Sequence, residues 1–360
     1  MELVKPSLII NNINLTFEER TLLSYKELKE LSPVKVDSLL TLLDDNENVA
    51  LFSEYVRQKL LLIPVQRYTP LFIPKPDFPS RVLLEMTSRC NLNCTMCPRQ
   101  NLLRDRIDMK SDLFKQAVDE LDKIGVNGLW IYNIGESILH PDFPELLRYV
   151  SSKNNLGPIW HSSNGQELSE YYSEMIINSR IMFMNMSVNA AKSETYKKIS
   201  PGGDWEKMRV NFRNFVDLKR KLKKRTPFAR LQIIDQEHLT NGEIDEFFGM
   251  NVNIADILAT NQLEAFSKDV ETNIKYAIKR ERPSNKSCHR VDRQDLFIFS
   301  NGETTFCDTD YNGTFSMGNV KDKSIYEVWN SDYRKKMLEL NKKGRLNEVD
   351  LCKNCLDFDL

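Results

Sequence analysis

The sequence predicts an α/β protein whose centre is a parallel sheet curled into a partial (β/α)6 barrel. Two observations carry this. Between Arg81 and Thr260, short apolar runs alternate with amphipathic segments of helical period, the pattern of strand–helix–strand crossovers. The seven cysteines are unevenly placed, three at the head of that alternation and four in the last quarter of the chain. The core is therefore flanked by a small, mainly helical N-terminal unit and by a C-terminal unit organised around cysteines. The expected divisions are 1–78, 79–265 and 266–360.

In the N-terminal unit, Ser7 to Phe17 alternates like a strand, and 25–31, 36–43 and 49–62 read as helices broken at Ser32-Pro33 and Asp44-Asp45-Asn46. Pro64, Pro70, Pro74, Pro76 and Pro79 then mark an irregular linker. Core strands are expected at 82–86, 128–133, 158–163, 181–188, 229–234 and 254–258. Helices are expected between them at 111–124, 143–152, 169–178, 193–199 and 205–222. Further on, an Asn301-Gly302 turn joins 295–300 to 303–307 as a hairpin, and one helix is expected over 324–340.

Composition excludes several classes. A net charge of −1 gives no electrostatic case for nucleic acid, and the basic run Lys219 to Arg225 reads as a solvated helix face. No apolar run approaches a membrane span, and the N-terminus lacks a charged-then-apolar signal pattern. A cytoplasmic protein is expected, in which thiols stay reduced and clustered cysteines point to metal.

The first cysteines form the stretch Cys90-Asn-Leu-Asn-Cys94-Thr-Met-Cys97, directly after an apolar strand. A loop of this length can wrap three thiolates around one face of a metal cluster, and three ligands leave one iron of a cubane open. Its position at the carboxyl end of a strand is where barrels carry their active sites. A zinc site is the alternative for such a cysteine set. This CxxxCxxC segment resembles the cluster loop of radical S-adenosylmethionine (SAM) enzymes. The resemblance implies that Cys90, Cys94 and Cys97 hold a [4Fe–4S] cluster whose fourth iron is chelated by SAM. In that family the reduced cluster cleaves SAM to methionine and a 5′-deoxyadenosyl radical, which takes a hydrogen atom from substrate. Met96 falls where the family packs a residue on adenine.

Other strand ends carry polar residues at matching places. Asn133-Ile134-Gly135-Glu136-Ser137 resembles the family's GGEP segment, with Asn133-Ile134 and Ser137 as departures. A loop glycine admits close backbone approach, and a carboxylate suits the ammonium of SAM. Ser162 and Asn164 close the next strand, and Ser187 ends the one after; the resemblance implies SAM contacts for all three, and Asn189 stands where relatives often carry Asp. His161, Arg230, Gln232, Gln236 and His238 flank strand ends that should face substrate, and none is assigned as catalytic.

Cys288, Cys307, Cys352 and Cys355 remain. The Asn-Gly turn before Cys307, Gly318-Asn-Val followed by Ile325-Tyr-Glu-Val-Trp329, and the final Cys-Lys-Asn-Cys resemble a SPASM domain in its shortened, twitch form. Four thiolates complete a second [4Fe–4S] cluster with no open iron, or a structural zinc. The layout is similar to that of 2-deoxy-scyllo-inosamine dehydrogenase. The two sets use all seven cysteines, leaving no thiol to return a hydrogen atom as some epimerases of the family do. The resemblance therefore implies an oxidoreductase acting on an alcohol carbon of a small polyol, sugar or aminocyclitol, with the second cluster accepting an electron. The alternative is oxidative modification or crosslinking of a ribosomally made peptide gripped by residues 1–78. Either needs a one-electron reductant such as flavodoxin or ferredoxin.

Overall fold

The computed structural model describes residues 7–10, 13–16, 77–251, 254–261, 263–264, 266 and 285–356. At the N-terminus β1 (Ser7–Ile10) and β2 (Ile13–Thr16) form an antiparallel pair. The expected helices between residues 25 and 62 lie outside the described residues.

The core begins with β3 (Arg81–Leu84) and continues as α1 (Ser111–Ile124), β4 (Gly128–Trp130), α2 (Phe143–Ser151), β5 (Ile159–Ser163), α3 (Glu170–Ile177) and β6 (Ile181–Ser187). It is completed by α4 (Ser193–Ile199), α5 (Trp205–Lys221), β7 (Phe228–Ile234), α6 (Glu243–Asn251) and β8 (Ile257–Asn261). The six strands β3 to β8 are parallel and adjacent in chain order, so all their carboxyl ends lie along one edge. The helices supply the covering layer. In α1, for example, Leu113, Phe114, Ala117, Val118 and Leu121 recur at helical spacing and are buried.

The expected six-stranded sheet is extended to eight. After α7 (His289–Asp292), β9 (Asp295–Ile298) pairs in parallel with β3, and β10 (Thr304–Thr305) closes the hairpin antiparallel to β9. Arg81 binds Asp295 across the β3–β9 join through two hydrogen bonds of 2.6 and 2.8 Å. Among the described residues β8 and β10 remain unpaired edges, so the barrel stays open. The chain ends with α8 (Ile325–Trp329), α9 (Asp332–Lys342) and α10 (Asp350–Asn354).

Four sequence expectations are corrected. The last core strand starts at Ile257, not Ile254, because the Asp256 carboxylate accepts the Ala229 amide (2.6 Å) and holds 254–256 in a bend. The helix expected over 324–340 is two helices, since Ser331 caps a new one by accepting from the Arg334 amide. Helix α6 was not expected at all. Lys219 is not on a solvated face: it is 5% exposed and reaches Asp256 and the Pro227 carbonyl.

Candidate cluster and cofactor site

The cluster loop leaves the carboxyl end of β3 and is pinned on both sides. On one side Thr95 N donates to the Ile199 carbonyl (2.8 Å), and Cys94 Sγ lies 3.2 Å from Ser200 Oγ. Within the loop the Arg99 guanidinium, 6% exposed, reaches the Leu92 carbonyl (2.5 Å) and Asn93 Oδ1. On the other side Glu136 N donates to the Arg89 carbonyl (2.8 Å), so the segment after β4 is stitched to the residue preceding Cys90. Gly135 makes that approach: a Cβ there would stand 2.1 Å from the Thr87 carbonyl oxygen and 2.7 Å from that of Arg89.

These segments enclose a cavity of about 430 Å³ at the strand ends. Cys90, Cys94, Cys97, Met96, Gly135, Glu136, Ser162, Asn164 and Ser187, expected from the sequence, all line it. Tyr132, Asn185, Ser200 and Asn261 line it too and were missed. The alternation Phe183–Asn185–Ser187 already placed Asn185 on the face of Ser187, so that one was legible. Asn164 connects the two sides, donating through Nδ2 to Asn91 Oδ1 (2.8 Å) and standing 3.7 Å from Cys90 Sγ.

Glu136 is 3% exposed; Oε2 accepts the Asn164 amide at 2.8 Å, while Oε1 is buried with no hydrogen-bond partner among the described residues. Burial pushes this carboxyl up to about 7. A buried acceptor with one oxygen unused is a place for a cationic ligand group. Burial also raises the thiols of Cys90, Cys94 and Cys97 to about 11, so their service as thiolates requires a cation to displace the protons.

A second chamber of about 320 Å³ adjoins the first and shares Tyr132, Asn185, Gln232 and Asn261 with it. Its wall includes a column of rings from neighbouring strands: Trp130 on Trp160 (5.7 Å between centroids) and Trp160 on Phe183 (3.9 Å). Arg230 lies in its polar side, 8% exposed, and donates to Asn185 Oδ1 (2.6 Å), Gln232 Oε1 (2.5 Å) and Asn261 Oδ1 (3.1 Å). Because a guanidinium only donates, it fixes which end of each carboxamide faces it. The amino ends of Gln232 and Asn261 are thereby turned away from Arg230. That of Asn185 is taken by Ser162 Oγ (3.0 Å).

Of the other polar residues singled out in the sequence, His161 faces the helix layer instead. It is fully buried, its ring 5.4 Å from that of Phe143, and burial holds it down at about 3. Gln236 and His238 lie past the end of β7 and do not line the cavity.

The remaining cysteines Cys288, Cys307, Cys352 and Cys355 surround a separate apolar cavity with Lys286, Arg290, Phe306 and Phe315. Burial raises the Cys307 thiol to about 12. Four thiols around one cavity are a donor set that suits a [4Fe–4S] cluster with no open iron, or a structural zinc.

Comparison with known proteins agrees with this geometry. Residues 84–228 match the model of the radical SAM superfamily, and residues 288–356 that of an iron-sulfur cluster-binding domain, SPASM. The tungsten-containing aldehyde ferredoxin oxidoreductase cofactor-modifying protein of Pyrococcus furiosus is 22% identical over 69% of this chain and 80% of its own length. A GTP 3′,8-cyclase of Lactiplantibacillus plantarum is 28% identical, over only 34% of this chain and 37% of the cyclase. Among solved structures, BtrN in complex with AdoMet and 2-DOIA superposes with a TM-score of 0.55 at 17% identity, covering 79% of this chain and 94% of BtrN. Streptococcus suis SuiB bound to its precursor peptide SuiA gives 0.58 at 15% identity, covering 80% and 71%. At such identities the structural likeness is one of fold.

Proposed function

The chain is a radical SAM enzyme carrying an iron–sulfur SPASM domain, and from that premise we propose that it oxidises an alcohol carbon of a small, oxygen-rich molecule: a polyol, sugar or aminocyclitol. The observation that carries the substrate class is the pair of carboxamides, Gln232 and Asn261, at the border of the two chambers. Arg230 holds their oxygens, which leaves N–H donors for a ligand rich in hydroxyl or carbonyl oxygen. The adjoining space is of small-molecule size.

Its cofactors are SAM and [4Fe–4S] clusters. With them bound, SAM, the alcohol and one electron from a reductant such as flavodoxin or ferredoxin would give methionine, 5′-deoxyadenosine, the ketone, a proton and one electron, for which the second cluster would be the acceptor. In this reading Cys90, Cys94 and Cys97 hold the SAM-cleaving cluster. Glu136 takes the SAM ammonium on its unused oxygen, and Met96 packs beside adenine. Ser162 acts through Asn185, while Asn164 and Ser187 border the nucleoside. Cys288, Cys307, Cys352 and Cys355 hold the auxiliary cluster. Residues 79–265 form the catalytic core, 266–360 the auxiliary-cluster domain and 1–78 an accessory unit. A cytoplasmic location supplies the reductant and keeps the thiols reduced. Among the described residues no helix is long and apolar enough to cross a membrane.

A second reading, oxidative modification or crosslinking of a ribosomally made peptide, draws support from the likeness to SuiB, solved with a precursor peptide. The deciding experiment incubates the reconstituted enzyme with SAM, reductant and either an aminocyclitol deuterated at its carbinol carbons or a candidate peptide. Transfer of deuterium to 5′-deoxyadenosine with loss of two hydrogens from the aminocyclitol supports the proposal. A product of unchanged mass bearing a solvent hydrogen at that carbon makes the enzyme an epimerase. Turnover of the peptide alone selects the second reading.

A further inference from the structure

The auxiliary cavity contains a buried cation that the ligand set alone does not require. Lys286 is 1% exposed and lies two residues before Cys288. Its ammonium donates to the carbonyl oxygens of Cys352 (2.6 Å) and Cys355 (3.1 Å), the two ends of the Cys-Lys-Asn-Cys turn. The backbone beside it is fixed as well: Lys286 N donates to the Gly344 carbonyl (2.7 Å), and Leu346 N donates to the Lys286 carbonyl (3.1 Å). The side chain is therefore delivered to the turn from a rigid strand-like bridge, not from a mobile surface arm.

A second cation, Arg290, lines the same cavity, but it is shared with carboxylates: Glu264 at 3.1 Å and Asp308, which Arg293 also binds at 2.7 Å. Asp310, close to Cys307, spends its oxygens on Thr305 Oγ1 (2.8 Å) and on the amides of Thr314 and Phe315 (2.7 Å each). Lys286 gives two hydrogen bonds to the ligand turn's own carbonyls. The potential of an iron–sulfur cluster follows its net charge, its hydrogen bonding and its solvent exposure. A buried positive charge beside four thiolates favours the state with one more electron.

We propose that Lys286 is a positioning and tuning residue for the auxiliary cluster, whose buried ammonium raises the cluster's reduction potential and so suits it to accept an electron. This rests on the assignment of Cys288, Cys307, Cys352 and Cys355 as its ligands. Two roles are combined in one side chain, a clamp on the turn and a charge, and substitutions separate them. Lys286→Gln keeps a donor for the carbonyls without the charge, and Lys286→Arg keeps the charge.

The test uses the full chain with Cys90, Cys94 and Cys97 changed to Ala, so that only the auxiliary cluster is present, and reads its midpoint potential by dithionite titration followed by electron paramagnetic resonance. Lys286→Gln is expected to lower the reduced-to-oxidised ratio at a fixed potential about tenfold, a shift of about 59 mV for a one-electron couple. Lys286→Arg is expected to restore the parent value. An unchanged potential in Lys286→Gln, with iron content intact, overturns the proposal alone. Loss of the cluster in both Lys286→Gln and Lys286→Met, with Lys286→Arg intact, overturns it in favour of a role in assembly. A parent protein with no cluster signal overturns the ligand assignment, and the proposal with it.

Discussion

Glu85 and Arg104 form a two-bonded ion pair, at 2.6 and 2.7 Å, with both side chains withdrawn from solvent. Glu85 stands at the end of β3, and Arg104 lies seven residues beyond the last cysteine of the cluster loop. Each also reaches the C-terminal unit. The Ser300 amide donates to Glu85 Oε2 at 2.9 Å, Arg104 Nε donates to the Tyr311 carbonyl at 2.8 Å, and the guanidinium lies 4.2 Å from the centre of the Phe299 ring. The pair thus ties the end of β3 and the exit of the first cysteine loop to segments on both sides of Cys307.

Removing one member of this pair strands the other as a buried charge, which costs about 3–5 kcal/mol. Arg104→Met should lower the melting temperature and expose the C-terminal unit to limited proteolysis. The double variant Glu85→Gln/Arg104→Met should recover much of the loss, because Gln still accepts the Ser300 amide. Thermal unfolding of the four proteins of the cycle checks this; strictly additive losses would mean that the pair is not coupled.

Changing Cys90, Cys94 and Cys97 to Ala should leave about half of the iron, on the premise that each cysteine set holds one four-iron cluster. Reductive formation of 5′-deoxyadenosine should disappear. Iron analysis and chromatography of the SAM products measure both. Continued reductive cleavage of SAM would place the reactive cluster elsewhere.

Glu136 predicts a pH dependence. Its carboxyl, raised to about 7 by burial, holds a proton below that pH and is a carboxylate above it. Only the carboxylate makes a charge-assisted bond to an ammonium, so SAM affinity should rise as pH passes through about 7, with proton release on binding. Glu136→Gln should weaken binding by ~1.5–3 kcal/mol, roughly ten- to a hundredfold, and flatten the profile. For stability the sign is opposite. The folded protein keeps this proton between the ordinary value of 4.5 and about 7, so the contribution of Glu136 falls as pH rises through that window. Calorimetry in buffers of different ionisation heat separates the two.

Gly135 tests the seam between loops. Gly135→Ala sets a methyl against the Thr87 and Arg89 carbonyls, and backbone atoms cannot swing aside as a side chain can. The segment carrying Glu136 must shift. SAM binding should fall about tenfold or more, the scale of one lost charged hydrogen bond, while both clusters still assemble. An alanine variant that binds SAM normally would show that this close approach is dispensable.

What could be read in the chain beforehand divides along physical lines. The strand–helix alternation is local, so the bounds expected for α1 and α4 match the structure to the residue. The β9–β3 pairing is not legible, because nothing local marks Asp295 as the partner of Arg81. His161 looked like a strand-end polar residue, but strand parity turns it towards Phe143, where only packing decides. Arg230 stands out in the sequence as a strand-end cation, but its partners Asn185 and Asn261 do not, because each is brought to it by a neighbouring strand.

The same Arg230 network gives the last prediction. Arg230→Met removes the donor that holds the oxygens of Asn185, Gln232 and Asn261, and the carboxamides are then free to turn. Arg230→Lys keeps the charge but loses the fork that reaches three acceptors at once. Both variants should keep most of their SAM affinity, because Glu136 and the cluster loop are untouched and only Asn185, through which Ser162 acts, is released on the SAM side. Both should bind substrate less tightly, raising KM about ten- to a hundredfold if one or two donors of ~1.5 kcal/mol are misplaced. A second readout, separate from KM, is the yield of 5′-deoxyadenosine relative to oxidised product, which should rise as substrate is held loosely. If KM and that ratio stay at parent values while SAM affinity falls, Arg230 serves the SAM cavity and the second chamber is not the substrate's.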